Sequence, residues 1–140
     1  MTDFDELLAR AQAKETETEQ LVVALAGEPV TLEFAEVPSS TWTSITVKHP
    51  PRVDVVIDRT FNYNYHAASM ESLPEYAARV EGDDRVKMSA EQWANLVDAL
   101  SPWDRSKLYD AVWGMNEWRP YERTQEAKKA SARASKKPRA

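Results

Sequence analysis

The chain has 140 residues, 42% apolar and 29% charged, the size and balance of one ordinary folded domain, which excludes both wholesale disorder and a membrane protein. It has no cysteine, which removes disulfides, thiol nucleophiles and the usual structural zinc sites. The net charge of −5 is unevenly spread: after Tyr121 seven basic residues face two acidic ones, leaving 11 basic and 21 acidic residues upstream, so a body near −10 carries a tail near +5. Only that tail would attract nucleic acid.

In chain order, Asp3 or Thr2 is a candidate N-cap, and Phe4, Leu7, Leu8 and Ala11 then recur as one helical face, which predicts a first helix. Residues 14–20 are polar on every side, so the helix either continues as a solvated rod or breaks before residues 21–26 pack. That apolar run, the longest in the chain, is far below the roughly 18 to 20 residues of a membrane span, and the acidic start lacks the basic opening of a signal peptide. A cytosolic protein is expected. Gly27, Glu28 and Pro29 punctuate the chain, and Val30, Leu32 and Phe34 alternate with Thr31, Glu33 and Ala35 as a strand. Residues 41–47 leave two readings open. Their Thr, Ile and Val content favours a strand, while Trp42, Ile45 and His49 fit a helical stripe capped by Ser39 or Ser40. Pro50 and Pro51 stop either one. After the short apolar stretch 53–57 and the polar-aromatic patch 61–66, residues 66–80 carry Ala67, Met70, Leu73, Tyr76 and Ala77 at helical spacing, kinked or split at Pro74. Gly82, Asp83 and Asp84 form a turn.

The most specific local signal follows. Ser89 and Gln92 form a capping box, flanked by a Met88/Trp93 hydrophobic staple. Trp93, Leu96, Val97 and Leu100 then line one face. A second helix begins at once, with Ser101 as N-cap, Pro102 in the first helical position and Asp104 three residues past the cap. Leu108, Val112 and Met115 line it, Tyr109 and Trp113 widen the face, and Pro120 ends it. Two helices joined this closely form an αα-corner or hairpin. For Trp93 and Trp103 core packing is the stronger reading, whereas for Trp113 and Trp118 a core role and a contact surface stand level. If exposed, those two mark a binding face.

Catalytic patterns are not found. His49 and His66 are each isolated and supply neither a metal set nor a triad, and Gly27, Gly82 and Gly114 stand alone, so no loop is built to cradle phosphates. Asp83, Asp84, Asp98, Asp104 and Asp110 fit turns and solvated helix faces better than acid–base or metal pairs. Neither a cofactor nor a metal is expected. From Thr124 to Ala140 the tail is mostly Ala, Ser, Lys and Arg, with no large apolar residue after Tyr121, and reads as a helix end fraying into a flexible extension. It has no aromatic residues beside its charge to engage nucleic acid.

The ordered set of these pieces resembles the tail assembly chaperones of long-tailed phages that infect actinobacteria. The residues that carry it are Val30 to Phe34, Trp42 with His49-Pro50-Pro51, the segment Asn62 to Met70, and Met88 to Trp93 with Leu96, Leu100, the second helix and Asn116. It covers about residues 28–118, and each motif alone is weak. The resemblance implies a mainly α protein with a small β element, helical over 41–47, made in the host cytoplasm and absent from the mature virion. It also implies partners: the tape measure protein, whose long apolar helices it keeps soluble, and the tail-tube protein it recruits. A longer form made by ribosomal frameshifting near the basic tail, and further copies of the chain itself, complete the set. The tyrosines around Asn62 and the polar run 14–20 depart from the pattern.

Together these readings predict a non-enzymatic protein organised as a helical segment 1–27, a core 28–120 ending in an αα-hairpin, and a flexible basic tail 121–140. Trp42, Tyr109, Trp113 and Trp118 are the candidate partner contacts, with no membrane or nucleic-acid partner expected. The rival readings are a small helix-turn-helix regulator, in which Arg105 and Lys107 would be offset by Asp104, Asp110 and Glu117, and a minor structural tail or connector protein.

Overall fold

A computed structural model describes residues 3–135. Phe4–Ala13 forms α1 as its periodicity predicts, but Thr18–Leu25 is a strand, β1, paired antiparallel with Glu28–Ala35, β2. The helical reading of residues 1–27 is thus corrected in its second half. A two-residue turn explains the difference. Ala26 and Gly27 both hold positive φ, 50° and 78°, as in a type I′ hairpin whose twist suits the flanking strands. The turn fixes the register, setting Val23 opposite Val30 and Leu21 opposite Leu32. One face of the hairpin, with Val23, Leu32 and Phe34, is buried, while Val22 on the other face is exposed.

Ser39–Lys48 is a helix, α2, despite its β-branched residues, because burying Trp42 and Ile45 on one stripe outweighs local propensity. Pro38, not a serine, occupies its N-cap position. The short helix α3, Val56–Phe61, is closed by Asn62 in the left-handed conformation, and the Asn64 side chain caps α4, Tyr65–Tyr76, by accepting from Ala67 N–H at 3.1 Å. The helix expected over 66–80 stops at Tyr76. Ala77–Glu81 instead forms β3 and fills the free edge of β2, and a turn beginning at Gly82 leads into β4, Asp84–Val86. The sheet is antiparallel throughout, in the order β1-β2-β3-β4.

Both capped helices form where expected. In α5, Ala90–Ala99, Ser89 Oγ accepts from Gln92 N–H at 3.1 Å and Gln92 Oε1 accepts from Ser89 N–H at 2.9 Å. In α6, Pro102–Trp113, Ser101 Oγ accepts from Asp104 N–H at 3.2 Å. Only Leu100 and Ser101 separate the two helices. Each packs on α4, with sparse contact between them, so the pair is a tight corner around α4. The architecture is mainly α with a small four-stranded sheet, and one core joins Leu32, Phe34, Leu73, Trp93, Leu108 and Met115. Met88 is partly buried against that core. Trp103 is the exception among the residues read as core: it is 71% exposed, with Lys107 Nζ 4.6 Å from its ring centroid. Five residues before Leu108, it lies about 140° away on the helix from the buried face.

The second helix does not end at Pro120. Gly114–Trp118 is a π-helical turn, and α7, Arg119–Ser135, continues from it. A proline inside an α-helix forfeits a bond and meets the carbonyl four residues earlier; the wider turn just before Pro120 removes that conflict. The tail read as flexible from residue 121 is therefore helical to Ser135, favoured by its alanines and a Lys129–Glu126 pair, while residues 136–140 lie outside the described part. Among the described residues no helix is long and apolar enough to cross a membrane.

Candidate partner-binding face

The π turn decides what the end of α6 presents. Residues five apart on an α-helix point about 140° from each other, so regular winding would separate Trp113 from Trp118. Here Arg119 N–H donates to Gly114 O, five residues back, and the extra residue in the turn brings the two indoles together. Their centroids are 6.1 Å apart and their planes 24° apart. Tyr121 stacks next on Trp118 at 5.6 Å, and Phe61 from the end of α3 closes the inner side at 5.1 Å from Trp113. These four rings and Glu117 line an open, largely apolar groove of about 310 Å³. Trp113 is half-buried, whereas Trp118 and Tyr121 are 47% and 54% exposed. A continuous exposed aromatic surface of this kind is a recognised mark of a contact site.

The opposite side of the turn is tied down. Glu117 Oε1 accepts from Trp42 Nε1 at 2.8 Å and from Tyr63 OH at 3.3 Å. Asn116 Oδ1 accepts from Val37 N–H at 2.7 Å, while its Nδ2 donates to Val112 O at 2.9 Å. Burial, reinforced by the Glu117 carboxylate, pushes the Tyr63 hydroxyl pKa above its usual value, so it remains a donor. Tyr65 is held the same way, by burial and by its bond to Asp110 at 3.2 Å. On the flank of α7, Arg119 reaches Glu17 and Glu19, and Arg123 reaches Glu17 and Glu36, which fastens the helix to the ends of β1 and β2.

Behind Phe61 a second polar cluster sets the position of α3. Asp58 is fully enclosed and accepts four bonds: from Arg52 N–H at 2.9 Å, Arg52 Nε at 2.8 Å, Arg52 Nη2 at 3.0 Å and Tyr65 N–H at 3.2 Å. The Arg52 side chain, aided by the two backbone donors, outweighs burial and holds the carboxyl well below the usual range. His66 Nδ1 lies 2.9 Å from Arg52 Nη2 and must accept from it, and burial followed by the Arg52 charge lowers its pKa.

The four residues predicted to contact a partner therefore divide. Trp113 and Trp118 share the groove. Trp42 and Tyr109 do not belong to it: both are buried, Trp42 because its indole N–H finds Glu117 and its ring packs edge-on to Tyr63, and Tyr109 because it packs between Tyr65 and His66. Sequence reasoning missed Phe61 and Tyr121. Tyr121, three residues after Trp118, carried a readable signal once the helix was known to continue; Phe61, on another element, carried none. The residues predicted as caps, Ser89, Gln92, Ser101 and Pro102, occupy their expected positions, and Trp93 is fully enclosed. Among the described residues no group of three or more His, Asp or Glu side chains is arranged to hold a metal ion. No family model, curated protein or solved structure matches the chain.

Proposed function

We propose that the protein is an assembly chaperone for the tails of long-tailed phages, which binds the tape measure protein, keeps it soluble and recruits tail-tube subunits in the host cytoplasm. The observation that carries this reading is the stacked, exposed pair Trp118 and Tyr121, continuous with Trp113 and Phe61 in one apolar groove. Such a groove accepts the apolar face of an amphipathic helix, the feature that makes a long helical client prone to aggregate. The acidic body keeps the loaded chaperone dispersed. The client itself is named by the sequence resemblance. The helix-turn-helix alternative is less favoured: Asp104, at the start of α6, accepts from Ala24 N–H of β1, and Asp110 is bonded to Tyr65, so both surround the would-be recognition helix with negative charge.

The test is co-expression with the tape measure protein of a long-tailed actinobacteriophage. The wild type is expected to keep that client soluble, and Trp118→Ser with Tyr121→Ser is expected to lose the effect while remaining folded. Equal client solubility with and without the wild-type chain would refute the reading.

A further inference from the structure

The aromatic groove carries one charged group, Glu117, among its four rings. Both bonds to that carboxylate fall on Oε1 and both come from neutral donors, Trp42 Nε1 at 2.8 Å and Tyr63 OH at 3.3 Å. Among the described residues no donor reaches Oε2, and Glu117 makes no ion pair. The negative charge is thus held in place without being neutralised. We propose that the groove is a receptor for a cationic side chain, Lys or Arg, set within the apolar face of the client helix. The assignment rests on the reading of this face as the client site and names the chemistry that the site selects.

Desolvation selects this occupant. A helix seated in the groove covers Glu117 and strips water from Oε2, and a carboxylate oxygen left without a donor is costly. A wholly apolar occupant returns nothing for that loss. A neutral hydroxyl or amide fills the lone pair but leaves the charge. An ammonium or guanidinium group does both, through a charge-assisted bond to Oε2.

The rings favour the same partner. From Phe61 through Trp113 and Trp118 to Tyr121 successive centroids stand 5.1, 6.1 and 5.6 Å apart, so a cation lodged among them lies within about 6 Å of more than one ring, the range of cation–π attraction. The aliphatic stem of Lys or Arg at the same time covers the apolar lining. The chain already uses this chemistry elsewhere: Lys107 Nζ lies 4.6 Å from the ring centroid of the exposed Trp103. There the protein supplies its own cation, whereas among the described residues none lies over the rings of the groove. The acidic body, near −10, adds a long-range attraction for a basic client segment. A groove built in this way separates an amphipathic helix from an uncharged apolar segment, which it penalises through Glu117.

The test uses synthetic amphipathic peptides of about 20 residues, long enough to hold a helix in water, identical except for one position at the centre of a leucine stripe. That position carries Lys, Arg, Glu or norleucine, the last being a lysine side chain without its ammonium group. Calorimetric titration into the full chain is expected to show the Lys and Arg peptides binding about 10-fold or more tightly than the norleucine peptide, a difference of about 1.4 kcal/mol, with the Glu peptide weakest. Glu117→Gln keeps an acceptor for Trp42 and Tyr63 and is expected to cut the preference to about 3-fold or less, with circular dichroism and urea unfolding confirming the fold. Trp118→Ser with Tyr121→Ser is expected to weaken all four peptides. Equal binding of the Lys and norleucine peptides to the wild type would overturn the proposal, whatever the Glu117 variant does. So would no binding of the Lys peptide at about 1 mM, or a folded Glu117→Gln protein that keeps the full preference. Equal binding leaves an apolar helix in the groove and the client reading intact; that reading falls only by its co-expression test.

Discussion

Replacing Asp58 tests whether the polar cluster behind the groove holds the fold or merely decorates it. Asp58→Ala leaves the Arg52 guanidinium and two backbone N–H groups, of Arg52 and Tyr65, without their acceptor. Removing one partner of a buried ion pair typically costs 3–5 kcal/mol, but the Arg52 side chain is 40% exposed and water re-solvates it, so a loss of about 2–3 kcal/mol is expected. With an unfolding entropy of roughly 2.1 cal/mol/K per residue, a chain of 140 residues loses about 3.4 °C per kcal/mol, which places the Tm drop near 7–10 °C. Urea unfolding followed by tryptophan fluorescence measures the loss directly. The pH dependence gives an independent check. Because the folded-state pKa of Asp58 is depressed, its contribution is complete above the ordinary carboxylate pKa of about 4 and disappears as pH falls below it. Asp58→Ala should flatten that part of the acid limb. A loss under about 0.5 kcal/mol, the range of ordinary surface substitutions, together with an unchanged acid limb, would refute the reasoning.

Three further outcomes are expected. Protonation of His66 would set an N–H against the Arg52 guanidinium, and its lowered pKa means that the folded state disfavours the charged form. Stability should therefore begin to fall as pH drops below the unfolded histidine value of about 6.5, and His66→Phe should remove this shallower step in a stability–pH curve. Ala26→Asn should stabilise the hairpin by about 0.5–1 kcal/mol, since alanine tolerates φ 50° poorly and asparagine is favoured at that turn position; a lower Tm would contradict the turn assignment. Glu117→Ala should cost about 1–3 kcal/mol by leaving Trp42 Nε1 and Tyr63 OH without an acceptor, whereas the exposed change Tyr121→Ser should alter stability by less than about 0.5 kcal/mol, as denaturant titration of the pair would show.

The sequence determined the local devices. The Ser89/Gln92 box, Ser101 with Pro102, the stripe of α1 and the alternation of β2 are legible because each depends on neighbours a few residues apart, whose backbone groups and side chains interact whatever the rest of the chain does. Other outcomes required the tertiary structure. Residues 18–25 and 77–81 became strands because β2 offered them edges to pair with, although each segment also satisfied a helical reading. The β-branched α2 stayed helical because Trp42 found Glu117 across 75 residues of sequence. The candidate site shows the division most clearly. Trp113 and Trp118 were visible as residues, but on a regular helix they would point apart. Only the π turn, accommodating Pro120 on one side and anchored through Asn116 and Glu117 on the other, stacks them into one face, and a distant element supplies Phe61 to complete it. Local spacing sets which side chains a helix carries; the contacts that bend its winding set which of them stand together.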